Sequence, residues 1–464
     1  MHIGGRRKGT AMNAKPEGNA SMTALWDDLR GWISEPTILL EQISYLLMLK
    51  RLSREEEPPS HRGGPDLRWN DLGKLGGHEL VARLSKHLIP FVAASMPASI
   101  RPTMEEARFA IDDPKLLRSC IERIDRLEPG SEGEVFEELL RQQGRPGDNR
   151  QVRTPPAVAA AMVDLVEPKA GDTICDPATG SGSLLLEAAS RIGPRPGFSR
   201  AKLYGFDIDP GKVRLAAFNL IFHGVANPQI EQADVLASAI QPEKFDVVLC
   251  APPFGGLRGE EEVDGELAEA GKRTELLYLE RCRQMQRGRA AILVPEAILF
   301  GRTGKFTRAR REWLQRRRVD AVILLPPGIL GFTNIRSAIL VASCQGTTEE
   351  VWFCPIGERR GREAAPDASA VETQLGCVAE ALRSKLVGKE PVRPEAVELG
   401  IEIFSIPIDK IKENNWSLSP AFYRDIEVPQ IEENPIELID EIGGVESEIN
   451  RLLERVRRLL AEAE

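Results

Sequence analysis

Residues Asp172–Ala189 read DTICDPATGSGSLLLEAA, and the order of the parts decides the fold. A short β-prone run ends in a carboxylate, Asp176. A turn carrying Gly180, Ser181 and Gly182 follows, and then a leucine- and alanine-rich run takes up the helical period. Strand, small-residue turn and helix form the ligand-binding corner of an open α/β sheet. Ligands dock there, at the carboxyl ends of the strands, because small residues let the backbone approach them closely. The GK[ST] ending of a P-loop is absent, so this turn is a different kind of cradle.

Working outward, Tyr204–Asp209 (YGFDID) ends a second strand with an acid suited to accepting hydrogen bonds from ribose hydroxyls. Gln232-Ala233-Asp234 ends a third, where a carboxylate can take the exocyclic amine of an adenine ring. Any one of these acids alone also fits a helix cap or turn. Three in register after three successive strands favour a ligand. Phe245–Gly256 (FDVVLCAPPFGG) supplies a fourth strand that ends in Ala251-Pro252-Pro253-Phe254. The alternation of β-rich and helical runs continues through AAILVPE, VDAVILLPPG and SAILVASC. This pattern predicts a mostly parallel, doubly wound sheet. Beyond about Gly346 the pattern is less regular.

The rest of the chain divides by texture. Residues 1–21 read as a flexible tail, without the apolar stretch of a signal peptide. Helical periodicity over 22–148 predicts an all-helical domain, 149–400 holds the sheet domain, and 401–464 forms a tail. In that tail Leu438, Ile442, Val445, Ile449, Leu452, Val456 and Leu459 recur in steps of three and four. A stripe so narrow predicts a coiled-coil helix, the other reading being a terminal helix docked on its own domain. Hydrophobic residues make up 42% and charged residues 28%, enough for both a core and a soluble surface. No apolar run approaches the roughly 20 residues of a membrane helix. Seven scattered cysteines without a CxxC pair argue against a disulfide framework or a structural zinc, so no metal and a cytoplasmic setting are expected. The net charge of −9 excludes indiscriminate coating of nucleic acid. One local exception is Arg302–Arg318, RTGKFTRARREWLQRRR. Arg302, Lys305, Arg308, Arg310 and Arg311 are its candidate phosphate contacts, although a solvated helix face reads the same way.

Together, DPATGSG, the FDID acid, the QAD acid and a strand-terminal xPPF resemble the class I S-adenosylmethionine-dependent amino-methyltransferases, which include adenine-N6 and cytosine-N4 DNA enzymes. Arg153-Thr154-Pro155-Pro156 precedes the glycine motif and is similar to the donor-binding element of the gamma arrangement. The N-terminal ISYLLMLKRL, the VFEELL, VPEAILF and LLPPGILGF segments and the terminal heptads narrow the resemblance to the methyltransferase (M) subunits of type I restriction-modification systems. That resemblance implies S-adenosylmethionine as cofactor and adenine N6 of double-stranded DNA as target. Asp176, Gly180 and Gly182, with Ala178 and Thr179, would cradle the methionine part of the donor. Asp207 and Ile208 would hold the ribose side and Asp234 the adenine, with Arg153, Thr154 and Pro155 completing the pocket. Ala251, Pro252, Pro253 and Phe254 would form the catalytic element, Phe254 stacking on the extruded base; Phe332 is a weaker candidate for the second wall, since a lone aromatic is more often a core residue. The target base must leave the duplex because its amine is otherwise out of reach.

The family's tetrapeptide begins with Asn, Asp or Ser, and here it begins with Ala251. Alanine keeps the neighbouring backbone carbonyl and loses the side-chain oxygen that helps localise the amine's lone pair. Three readings stand: an engineered inactivating change, a natural loss in a subunit that binds without chemistry, or tolerance of the backbone acceptor alone. No target-recognition region follows the sheet, so a separate specificity subunit is expected as partner. A second M subunit or a nuclease subunit could also join, through the N-terminal helices and the coiled coil. Methylation of cytosine N4 or of a protein glutamine is the enzymatic alternative; a non-catalytic DNA-binding or scaffold subunit is the other.

Overall fold

The computed structural model describes residues 16–54, 67–143, 153–193, 202–237, 243–259, 262–331, 333–356, 368–386, 401–423 and 435–463. Seven helices come first: α1 Pro16–Arg30, α2 Pro36–Leu52, α3 Trp69–Leu72, α4 Gly77–Ser95, α5 Arg101–Glu105, α6 Pro114–Asp125 and α7 Glu132–Gln143. Local chemistry sets their ends. Asp113 caps α6 by accepting from the Leu116 amide at 2.7 Å, with Pro114 at the first helical position. At the other end of α6 the buried Lys50 ammonium, on α2, donates to the carbonyls of Ile124, Asp125 and Leu127.

The sheet then forms from β1 Thr173–Asp176, β2 Lys202–Asp207, β3 Gln229–Gln232, β4 Phe245–Cys250, β5 Gln286–Pro295, β6 Arg318–Leu325, β7 Ser337–Ser343, β8 Glu350–Pro355 and β9 Phe404–Pro407. Its helices are α8 Pro156–Val166, α9 Ser183–Ile192, α10 Pro210–Phe222, α11 Gly265–Ala268, α12 Thr274–Met285, α13 Glu296–Phe300, α14 Gly304–Arg316 and α15 Ala368–Leu386. The spatial order is β3-β2-β1-β4-β5-β7-β6-β8-β9. From β3 to β5 all neighbours are parallel, while β7 runs antiparallel between β5 and β6. The chain builds outward from β1 to β3, then returns to place β4 on the other side of β1. This reversal is the switch point at which doubly wound sheets bind ligands.

The mostly parallel α/β fold read from the sequence is thus the fold observed. Three details differ from the sequence-derived boundaries. Helix α1 starts at Pro16, inside the expected tail. The irregular stretch past Gly346 contains β8 and α15. The last strand, β9, lies past residue 400, because Phe404 stacks on Phe353 (ring centroids 5.7 Å apart) as β9 pairs antiparallel with β8. One apolar cluster runs from Trp26 and Leu46 through Phe218 to Ile174 and Leu249, so the helices and the sheet share a continuous core. Arg214 on α10 reinforces it, bridging Glu41 on α2 at 2.8 Å and the Thr103 carbonyl at 2.6 Å.

Residues 1–419 form one compact unit and 420–464 a second. The second unit contains a short 3-10 turn, Pro420–Phe422, and the helix Pro435–Ala463. Val445, Ile449, Leu452 and Val456 of the heptad stripe are each about half exposed, as is Leu453 beside them. Among the described residues no helix is long and apolar enough to cross a membrane, and no group of His, Cys, Asp and Glu is arranged to hold a metal ion.

Candidate active site

Asp176 is the last residue of β1, and its buried carboxylate accepts from the Ala178 amide at 3.0 Å. Burial, with the nearby Asp207 charge, pushes its pKa up to about 7. The turn that follows is folded by its glycines. Gly180 and Gly182 have φ of +52° and +77°, where a side chain is disfavoured, and a Cβ on Gly182 would press on the Ala216 backbone at 3.3 Å. The turn is pinned to β2: the Thr179 amide donates to the Phe206 carbonyl at 2.9 Å and the Gly180 amide to the Asp207 carboxylate at 3.1 Å.

Asp207 also accepts from the Asp209 amide at 3.0 Å, and burial raises its pKa. The two acids of FDID therefore divide their work. Asp209 caps α10 by accepting from the amides of Gly211 and Lys212, whereas Asp207 faces the glycine turn. Ile208 between them is exposed. Asp234 lies two residues past β3, accepts from the Leu236 amide at 3.1 Å and is ion-paired with Arg258. Part of its role is thus the turn that the sequence held as its alternative.

Across the switch point, Ala251 and Pro252 are buried directly after β4, Pro253 is exposed and Phe254 is half-buried against the core. Arg153 pairs with Glu137 on α7 at 2.5 Å, and Thr154 and Pro155 lead into α8. The structure therefore brings Asp176, the glycine turn, Asp207 and the APPF element to one edge of the sheet, at adjacent strands. Phe332 lies outside the described residues.

The arginine-rich run divides. Arg302 and Arg311 are exposed. Lys305 donates to the Glu269 carbonyl at 2.8 Å, and Arg308 pairs with the Glu269 carboxylate. Arg310 is a correction: it is 3% exposed and its guanidinium donates to the carbonyls of Ile298, Gly301 and Trp416, so it braces α14 and is not presented to a phosphate.

Two residues at this edge went unnoticed in the sequence. Arg258 neutralises Asp234 from a loop 24 residues away. Tyr278 on α12 packs with Phe206 against Val235 and Leu277, and burial beside Asp207 and Asp234 keeps its phenol protonated. Neither belongs to a local motif, and only the closing of the sheet brings them in.

The residues fit a cationic, nucleoside-bearing ligand. Two carboxylates face one glycine turn, and the turn's backbone is bare of side chains at Gly180 and Gly182. The fold is that of the doubly wound methyltransferases. The chain belongs to the N-6 DNA methylase family, which it matches over residues 131–433. It is similar to the type I restriction enzyme EcoEI methylase subunit of Escherichia coli, at 26% identity over 382 residues, covering 75% of this chain and 74% of that one. The EcoKI methylase subunit of Escherichia coli strain K12 is 24% identical over 379 residues, covering 72% and 70%. Among solved structures, a chain of a type I restriction-modification system superposes with a TM-score of 0.71 at 22% identity, covering 97% of this chain and 99% of that one. The type I methyltransferase subunit from Streptococcus thermophilus gives 0.67 at 19% identity, covering 87% and 98%.

Proposed function

We propose that this chain is the methylase subunit of a type I-like restriction-modification system, acting on adenine N6 in a DNA sequence chosen by a partner specificity subunit. The observation that carries this reading is the switch point. There Asp176 and Asp207 converge on the glycine turn on one side of β1, and Ala251-Pro252-Pro253-Phe254 directly follows the adjacent β4. S-adenosylmethionine is the methyl donor; when bound, it supplies an electrophilic methyl group on a sulfonium centre. Asp176, Ala178, Thr179, Gly180 and Gly182 would hold its amino-acid part, Asp207 and Ile208 its ribose side and Asp234 its adenine, with Arg153, Thr154 and Pro155 at the rim.

The chain's own work is to orient the target amine. A backbone carbonyl of the Ala251-Pro252 segment accepts one amine hydrogen, and the Phe254 ring covers the face of the extruded base. The second acceptor, a side-chain oxygen at position 251, is missing. Loss of one such group costs on the order of 10²–10³ in rate. Ala251 is also the observation that favours the second reading, a subunit that binds donor and DNA without transferring the methyl group. The test is the N6-methyladenine content of DNA from cells co-expressing this chain and the products of its neighbouring genes, as it stands and as Ala251→Asn.

A further inference from the structure

Leu257 is 74% exposed, more than any other large apolar side chain among the described residues. A lone exposed leucine needs no explanation. This one sits three residues past Phe254 on a loop built to hold it. The Arg258 amide donates to the Lys272 carbonyl at 2.9 Å and the Thr274 amide to the Gly256 carbonyl at 3.0 Å, pairing Leu257 with Arg273 as a one-rung antiparallel bridge. Both glycines before it are required by that geometry. Gly255 has φ +79°, and a Cβ on Gly256 would lie 2.3 Å from the Thr274 hydroxyl.

Two further exposed apolar residues share this edge. Phe300 ends α13, just past the carboxyl end of β5, and Ile335 precedes β7. Strand β7 runs antiparallel and pairs Ser337 with Pro295, so its start lies at the same edge. Arg302 and Arg336, both exposed, follow Phe300 and Ile335 by two residues and one. Apolar tips flanked by cations are what a duplex opened at one base pair offers a complement to: phosphates outside, an unstacked gap inside.

We propose that Leu257 is the wedge that enters the base stack at the position vacated by the target adenine, with Arg302 and Arg336 on the flanking phosphates. This rests on the DNA methylase reading. Leu257 touches the neighbouring base steps and not the reacting atoms, so it is a positioning residue for extrusion.

The test uses the complete assembly with its specificity subunit and a duplex of its methylation target carrying 2-aminopurine in place of the target adenine. Extrusion raises the fluorescence of that base. Unstacking opposes extrusion, so Leu257→Ala is expected to lower the extruded population on the order of tenfold, and less when the target is mispaired and already loosened. Leu257→Met, equally long and apolar, retains the signal. Binding of S-adenosylmethionine and the melting temperature stay unchanged, because the side chain supports no core. A Leu257→Ala signal equal to the unsubstituted assembly, or an equal loss on paired and mispaired duplexes, overturns the wedge. No fluorescence rise with the unsubstituted assembly overturns the methylase reading itself, and the wedge with it.

Discussion

Asp176 and Asp207 end neighbouring strands and face the same turn, and the burial of Asp176, with the Asp207 charge a smaller contribution, gives the site a pH signature. The Asp176 pKa moves from 3.8 to about 7 on folding, so between those values the folded chain holds a proton that the unfolded chain releases. Stability therefore falls as pH rises from about 4 to about 7. Affinity for a cationic donor moves the other way, because the ionised carboxylate is the form that attracts it. Melting temperature across a buffer series is expected to decline over that window, and Asp176→Asn to remove this part of the decline. Donor affinity, measured by calorimetry, is expected to increase through the same range. An affinity independent of pH would separate Asp176 from the donor. At this scale the sequence was informative where motifs are local: DPATGSG and FDID named the turn and the acids. It did not divide Asp207 from Asp209, since capping depends on which carboxylate meets the α10 amides.

On α14, a run that looks uniformly basic in sequence holds two kinds of arginine. Helical periodicity puts Arg310 on the same face as Trp313 and Leu314, toward the core, and Arg311 toward solvent, while Arg302 is exposed in the segment before the helix. Composition cannot make that distinction; the turn of the helix against α12 and α13 does. Arg310→Ala leaves three carbonyls without their donor and is expected to cost about 3 kcal/mol of stability, read from denaturant unfolding. The double variant Arg302→Ala/Arg311→Ala is expected to leave stability unchanged. It should weaken DNA binding by the assembly and reduce the salt slope by about one for each phosphate no longer neutralised. A stable Arg310→Ala chain would contradict the bracing role. The strands up to β7 were legible in the sequence, whereas β8 and β9 were not: short strands at the far end of the sheet carry too little periodicity.

At the scale of the whole molecule, an acidic chain of net charge −9 with a basic, apolar rim on one sheet edge is suited to binding DNA as part of an assembly. The half-exposed stripe of Val445, Ile449, Leu452 and Val456 is the proposed coiled-coil surface for the specificity subunit. Ile449→Glu with Leu452→Glu is expected to abolish co-purification of that subunit while S-adenosylmethionine binding by the chain is kept. Retained co-purification would move the interface elsewhere. Partner, target sequence and any nuclease were not legible in the chain, because no local motif specifies them; under the proposed function, recognition belongs to the partner subunit.

Adenine methylation by a site short of one acceptor at Ala251 is the proposed activity. Sequencing N6-methyladenine genome-wide, in cells co-expressing this chain with its neighbouring gene products, tests it most directly. Methylation at a single motif is predicted with Ala251→Asn, at a rate on the order of 10²–10³ above that of the unsubstituted chain. Absence of the mark with both forms, in cells where expression and assembly are verified, would contradict it and leave the binding subunit as the reading of this fold.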